Sequence, residues 1–151
     1  MTKKVLLTIS GLHIMEMAGD DSEESEPIEV ITPASYYLKN GKHYILYDEV
    51  MEGSSKVTKN KIKITGNEAL EIIKSGATSS HMVFEKNRMN ATSYETPYGE
   101  IQVGVFTKSM CVEESEDYIG VEVEYGLDVN SESVADCHIS LSVRPGNARV
   151  L

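Results

Sequence analysis

"IGVEVEYGLDV", residues 119–129, puts Ile119, Val121, Val123, Tyr125, Leu127 and Val129 on one face and Glu122, Glu124 and Asp128 on the other. A period of two marks a strand that buries one face and wets the other, because successive Cβ atoms of an extended chain point to opposite sides. The next run, "SVADCHISLSV" at 133–143, sets Ala135, Cys137, Ile139, Leu141 and Val143 against Asp136, His138, Ser140 and Ser142. Asn130-Ser131 between the two runs reads as a tight connection. Upstream, "EIQVGVF" at 100–106 turns Ile101, Val103 and Val105 inward, with Glu100 and Gln102 outward. The three runs form a meander of successive strands.

The N-terminal half has the same character. In "SYYLKNGKHYILYDE", residues 35–49, Asn40-Gly41 carries the chemistry of a type I′ turn, whose central positions both need positive φ. That turn opposes Tyr37 to Tyr44 and Tyr36 to Ile45, leaving Tyr36, Leu38, Ile45 and Tyr47 on one face and Tyr37, Tyr44 and Leu46 on the other. Both faces are apolar or aromatic, so the hairpin is expected to need a second cover, a loop, a helix or another subunit. The segment "NEALEIIK", residues 67–74, has helix-favouring residues but is short for a helix and is bracketed by turns at Gly66-Asn67 and Ser75-Gly76. It is read as a strand with Leu70 and Ile72 on one face. The start, "MTKKVLLTISGLHIMEM", imitates a signal peptide, yet Thr8, Ser10, Gly11 and His13 break the apolar stretch and Glu16 follows it. A strand is the expectation there. "AGDDSEESEP", residues 18–27, is an acidic solvated loop.

Short strands joined by turns, with no convincing amphipathic helix, point to an all-β antiparallel barrel or sandwich. Long sequential strands favour the up-and-down closed barrel, which leaves no exposed edges. Residues 1–151 suit a single domain. The formal net charge of -10 opposes phosphate backbones, and the lysine run "KVTKNKIKI" at 56–64 has no interleaved aromatic residue for base stacking. No nucleic-acid partner is expected, and that run reads as a strand edge blunted by lysines. No segment approaches transmembrane length, so no membrane partner is expected either. Cys111 and Cys137 lack metal or redox spacing, which suits a reducing, cytoplasmic setting.

Ser75-Gly76, Met82-Val83-Phe84-Glu85, Tyr94, Thr96-Pro97-Tyr98-Gly99 and Gly104-Val105-Phe106-Thr107 together resemble the YwiB-like family of uncharacterised bacterial proteins. The resemblance runs from the first strand to Val143. It implies a calycin-like, lipocalin-like barrel of roughly eight to ten strands, a size whose interior is filled by side chains or holds one small ligand. It implies no activity. The chain departs from the family pattern in its longer acidic loop and in Asn87 at a turn where Gly is usual, a change Asn tolerates. It also lacks Trp, and with it the Gly-x-Trp signature of true lipocalins.

The tetrapeptide Thr96-Pro97-Tyr98-Gly99 suits a sharp reversal between strands, since Pro97 fixes its own φ and Gly99 admits conformations other residues avoid. Tyr94 and Tyr98 around that turn could also close a barrel mouth and bond a polar ligand head. Arg88 would suit a carboxylate or phosphate, and His81 lies near it in sequence; against this stands a surface Arg paired with a nearby Glu. The ligand-binding candidates are therefore Tyr94, Tyr98, Arg88 and His81. The four histidines have no short ligand spacing, so no metal is expected. No P-loop, dinucleotide fingerprint or G-x-S-x-G exists, so neither a cofactor nor an enzyme is expected. The residues thus suggest a non-enzymatic binder of a small, partly apolar molecule in or at the mouth of the barrel. The alternative is a filled structural or protein-interaction module acting through its outer surface, as a homodimer in one form.

Overall fold

In the computed structural model of the chain, residues 3–11, 29–50, 57–76, 79–96 and 99–146 are described, with only the backbone for 94–96. The regular elements are strands throughout: β1 (Lys4–Ser10), β2 (Glu29–Lys39), β3 (Lys42–Val50), β4 (Val57–Thr65), β5 (Ala69–Ser75), β6 (Ser80–Glu85), β7 (Met89–Thr96), β8 (Gly99–Ser115), β9 (Tyr118–Val129) and β10 (Glu132–Pro145). They form one 10-stranded antiparallel sheet in the order β6-β5-β4-β3-β2-β1-β10-β9-β8-β7. Every chain neighbour but one is a ladder neighbour, and β1 joins β10, so the topology is the expected up-and-down barrel.

The barrel is nearly closed. Among the described residues no ladder joins β6 to β7. Their seam is tied at one end by the turn between them, where Arg88 N donates to Glu85 O, Asn87 N to Thr107 O and Thr107 N to Arg88 O. Asn87 takes φ 63° there, the left-handed geometry that its short polar side chain tolerates. Behind the seam, Phe84 of β6 packs edge-on against Tyr125 of β9, with ring centroids 4.9 Å apart.

The local readings hold where the chain is described. Asn40 and Gly41 have φ of 54° and 76°, as a type I′ turn requires, and the hairpin pairs Tyr37 with Tyr44 and Tyr36 with Ile45. Residues 69–75 are a strand despite their helix-favouring composition, because Leu70 and Ile72 bury against the core and ladders form on both sides. β1 is also a strand, paired with both β2 and β10. The acidic stretch 18–27 lies outside the described residues.

One expectation is corrected. The lysine run is no edge: from Lys59 to Ile64 β4 is paired with both β3 and β5, and Lys59, Lys61 and Lys63 line the outer face of an interior strand. Lysine at every second position is a face pattern, and a face pattern says nothing about which ladders form. The two-faced hairpin covers part of its own outer face. Its outer tyrosines stack on each other, Tyr37 on Tyr44 at 4.8 Å and 7°, with Lys63 Nζ 5.9 Å from the Tyr44 ring centroid. The lysine stem and the second ring shield part of that face.

The inner faces meet in one hydrophobic cluster, with contributions from β1 to β6 and β8 to β10. Across β3 to β6 the registers align inward residues in rows: His43, Ile64, Leu70 and Phe84, then Ile45, Ile62, Ile72 and Met82. Opposite them stand Val121, Val123, Tyr125 and Leu127 of β9 with Ile139, Leu141 and Val143 of β10, all at 1% exposure or less. A fully buried aliphatic side chain contributes about 1.5–3 kcal/mol. Repeated along both walls, that gain favours a barrel packed through its middle.

Candidate functional site

Between β2 and β3 the ladder stops short, and a proline lies at that split. The β2–β3 ladder runs from Lys39↔Lys42 to Ser35↔Leu46 and stops, although β2 continues back to Glu29 and β3 forward to Val50. Tyr36 N donates to Lys3 O, so the backbone groups of even-numbered β2 residues face β1 and those of Ser35 and Pro33 face β3. Pro33 therefore lacks its N–H at the next position where β3 would need a donor. From there β2 pairs only with β1, while β3 keeps its ladder to β4.

Between the diverging strands lies a cleft of about 870 Å³ lined by Leu6, Pro33, Ala34, Leu46 and Tyr47, with Lys3, Lys4, Ser35 and Asp48 among its polar groups. The volume is within the range of small-molecule sites, and a mostly apolar wall with a few charges is their usual composition. Val5, Ala34 and Tyr47 face the barrel interior and Leu6 and Leu46 the outside, so the cleft passes through the plane of the sheet.

Tyr47 also begins the third inward row of β3 to β6, and this row is polar: Tyr47, Asn60, Lys74 and Ser80 are successive ladder neighbours. Lys74 Nζ binds Glu49 Oε1 at 3.1 Å, and its side chain is 10% exposed. Asn60 Nδ2 donates to Glu49 Oε1 at 3.3 Å and to Thr58 O at 3.4 Å, while Asn60 Oδ1 is buried without a partner. Burial, and then the Glu49 carboxylate, push the Tyr47 phenol up to about 12. It stays a donor across the physiological range.

The other end of the barrel carries a chain of polar contacts. Tyr36 Oη and His43 Nδ1 are 2.7 Å apart, and His43 Nε2 lies 3.1 Å from Glu114 Oε1. The chain links β2, β3 and β8. Burial, and then Glu114, raise the Tyr36 phenol, which suits a proton held in a structural bond.

Of the residues singled out from sequence, the structure describes the side chains of His81 and Arg88 and does not bring those two together. His81 is on the outer face of β6, its Nε2 2.8 Å from Glu71 Oε1, and Glu71 also lies 3.6 Å from Lys63 Nζ. Met82 and Phe84, its neighbours in the alternation, take the interior positions. Arg88 is exposed in the β6–β7 turn, at the opposite end of β7 from the 96–99 reversal. Eight strand residues separate those ends by roughly 25 Å at about 3.3 Å per residue. Tyr98 and the Tyr94 side chain lie outside the described residues; Thr96 pairs with Gly99 where the chain reverses. Pro33, Leu46, Tyr47, Asn60 and Lys74 were missed. A proline inside the alternating run 29–39 was the available signal, whereas the inward aim of Asn60 and Lys74 depends on register. Among the described residues no group of three or more His, Cys, Asp or Glu could hold a metal ion.

Comparison with known proteins agrees with the fold. A family model described as a domain of unknown function (DUF1934) matches residues 12–141. The chain is 28% identical over 121 residues to the uncharacterised β-barrel protein YwiB of Bacillus subtilis, spanning 80% of this chain and 82% of that one. The crystal structure of that ywiB protein superposes with a TM-score of 0.73 at 20% identity, covering 96% of this chain and 93% of the other.

Proposed function

Given that the chain belongs to the DUF1934 family of YwiB-like β-barrel proteins, a membership that names a fold and no activity, we propose that it is a non-enzymatic binder of a small, partly apolar molecule. The observation that carries this reading is the cleft opened beside Pro33. The site is then the side of the barrel and not its middle, where side chains occupy the space. A ligand there would lay its apolar part against Leu6, Pro33, Ala34 and Leu46 and its polar end toward Tyr47 and the row beyond.

The test is native mass spectrometry of the freshly purified protein, followed by fluorescence titration with 1-anilinonaphthalene-8-sulfonate on the wild type and Leu46→Glu. A retained small mass, or dye binding that falls at least tenfold in Leu46→Glu, supports the cleft. Dye binding that ignores the substitution, with no retained mass, refutes it. The interaction-module reading is favoured by one observation, the hairpin tip where Leu38 is 60% and Tyr37 41% exposed. Sedimentation at micromolar concentration decides it: a strict monomer removes the self-association reading.

A further inference from the structure

The polar row carries more than packing requires. Asn60 is 2% exposed, and the identity of its free atom follows from its neighbours. A carboxylate oxygen of Glu49 and the carbonyl of Thr58 are both acceptors, so Nδ2 must face them and Oδ1 must point away. That Oδ1 is a buried acceptor without a donor, which a native interior seldom leaves. Beside it, the nine-tenths buried Lys74 has three N–H groups and commits one to Glu49. Ser80, directly opposite Lys74 on β6, adds a hydroxyl that gives or accepts.

We infer that this row recognises a net-neutral polar head group with an N–H donor next to an oxygen acceptor, as in a carboxamide. The donor serves Asn60 Oδ1 and the acceptor takes a hydrogen bond from Lys74. Net neutrality follows from charge: Lys74 and Glu49 already cancel, and a carboxylate or an ammonium alone would bring an uncompensated charge to a nearly dry site. The inference rests on the cleft reading for the rest of the ligand, since Tyr47 lines the cleft and stands next to Asn60 in the ladder.

The test uses the full ¹⁵N-labelled chain titrated separately with acetamide, acetate and methylammonium, following the backbone amide of Lys74, the ladder neighbour of Asn60. Acetamide is expected to shift that signal at concentrations at least tenfold below either ion. Asn60→Leu should abolish the acetamide response. The near-isosteric Asn60→Asp, which adds a negative charge, should exchange the preference to methylammonium. Equal responses to the three probes, or an unchanged preference in Asn60→Asp, would overturn the inference. Dye binding at Leu46 without head-group selectivity sinks this inference alone. Acetamide binding without dye binding sinks the cleft reading and leaves the head-group assignment standing.

Discussion

Replacing Pro33 with valine should begin to close the split between β2 and β3. The register Ser35↔Leu46 continues by simple count to Pro33 opposite Asp48, and backbone parity makes that a hydrogen-bonded pair. Valine restores the missing donor, so the pair can form two bonds of about 0.5–1.5 kcal/mol each, a gross gain of roughly 1–3 kcal/mol. Loss of the ring makes the unfolded chain more flexible, which offsets about 0.4–1 kcal/mol. The net expectation is a stabilisation of about 1 kcal/mol and a Tm rise of about 2–4 °C for a domain of this size. Hydrogen exchange should find the new amide at position 33 protected, and the affinity for the anilinonaphthalene dye should fall several-fold as the cleft narrows. An exchange rate there equal to that of an open chain, together with unchanged dye affinity, would show that something other than the missing donor holds the strands apart.

Tyr125→Phe should stabilise the protein or leave it unchanged, within about 0–2 kcal/mol by urea unfolding, because the Tyr125 hydroxyl is buried without a hydrogen-bond partner while the ring keeps its contact with Phe84. A loss above about 1 kcal/mol would mean that the hydroxyl is satisfied, with the Cys137 thiol as the first suspect, because after burial that thiol is the next cause raising the phenol. Alkaline unfolding should report Tyr47: its folded value of about 12 exceeds the ordinary 10, so the folded state holds the proton more tightly. Stability is then fully present below pH 10 and lost as pH rises from 10 to 12, by on the order of 2–3 kcal/mol, and Tyr47→Phe should flatten that decline. An equally steep decline in the variant would assign it to other groups.

How much was legible from sequence differs from element to element. Period-two alternation at 119–129 and 133–143 and the Asn40-Gly41 turn are local signals, since a strand face and a turn type depend on residues adjacent in the chain. They led to the strands, the hairpin register and the barrel class. Of the ligand-binding candidates, one strand length separates Arg88 from the reversal after β7, and alternation turns His81 outward.

Which residues alternate and where the chain reverses could be read without coordinates, because those properties are settled within a few residues. It took the assembled barrel to show that β4 lies inside the sheet, that Pro33 stands where β3 needs a donor, and that Tyr47, Asn60, Lys74 and Ser80 share one inward row. Each of these depends on how strands distant in the chain are set against one another, and a slip of one residue would turn Asn60 and Lys74 to the solvent.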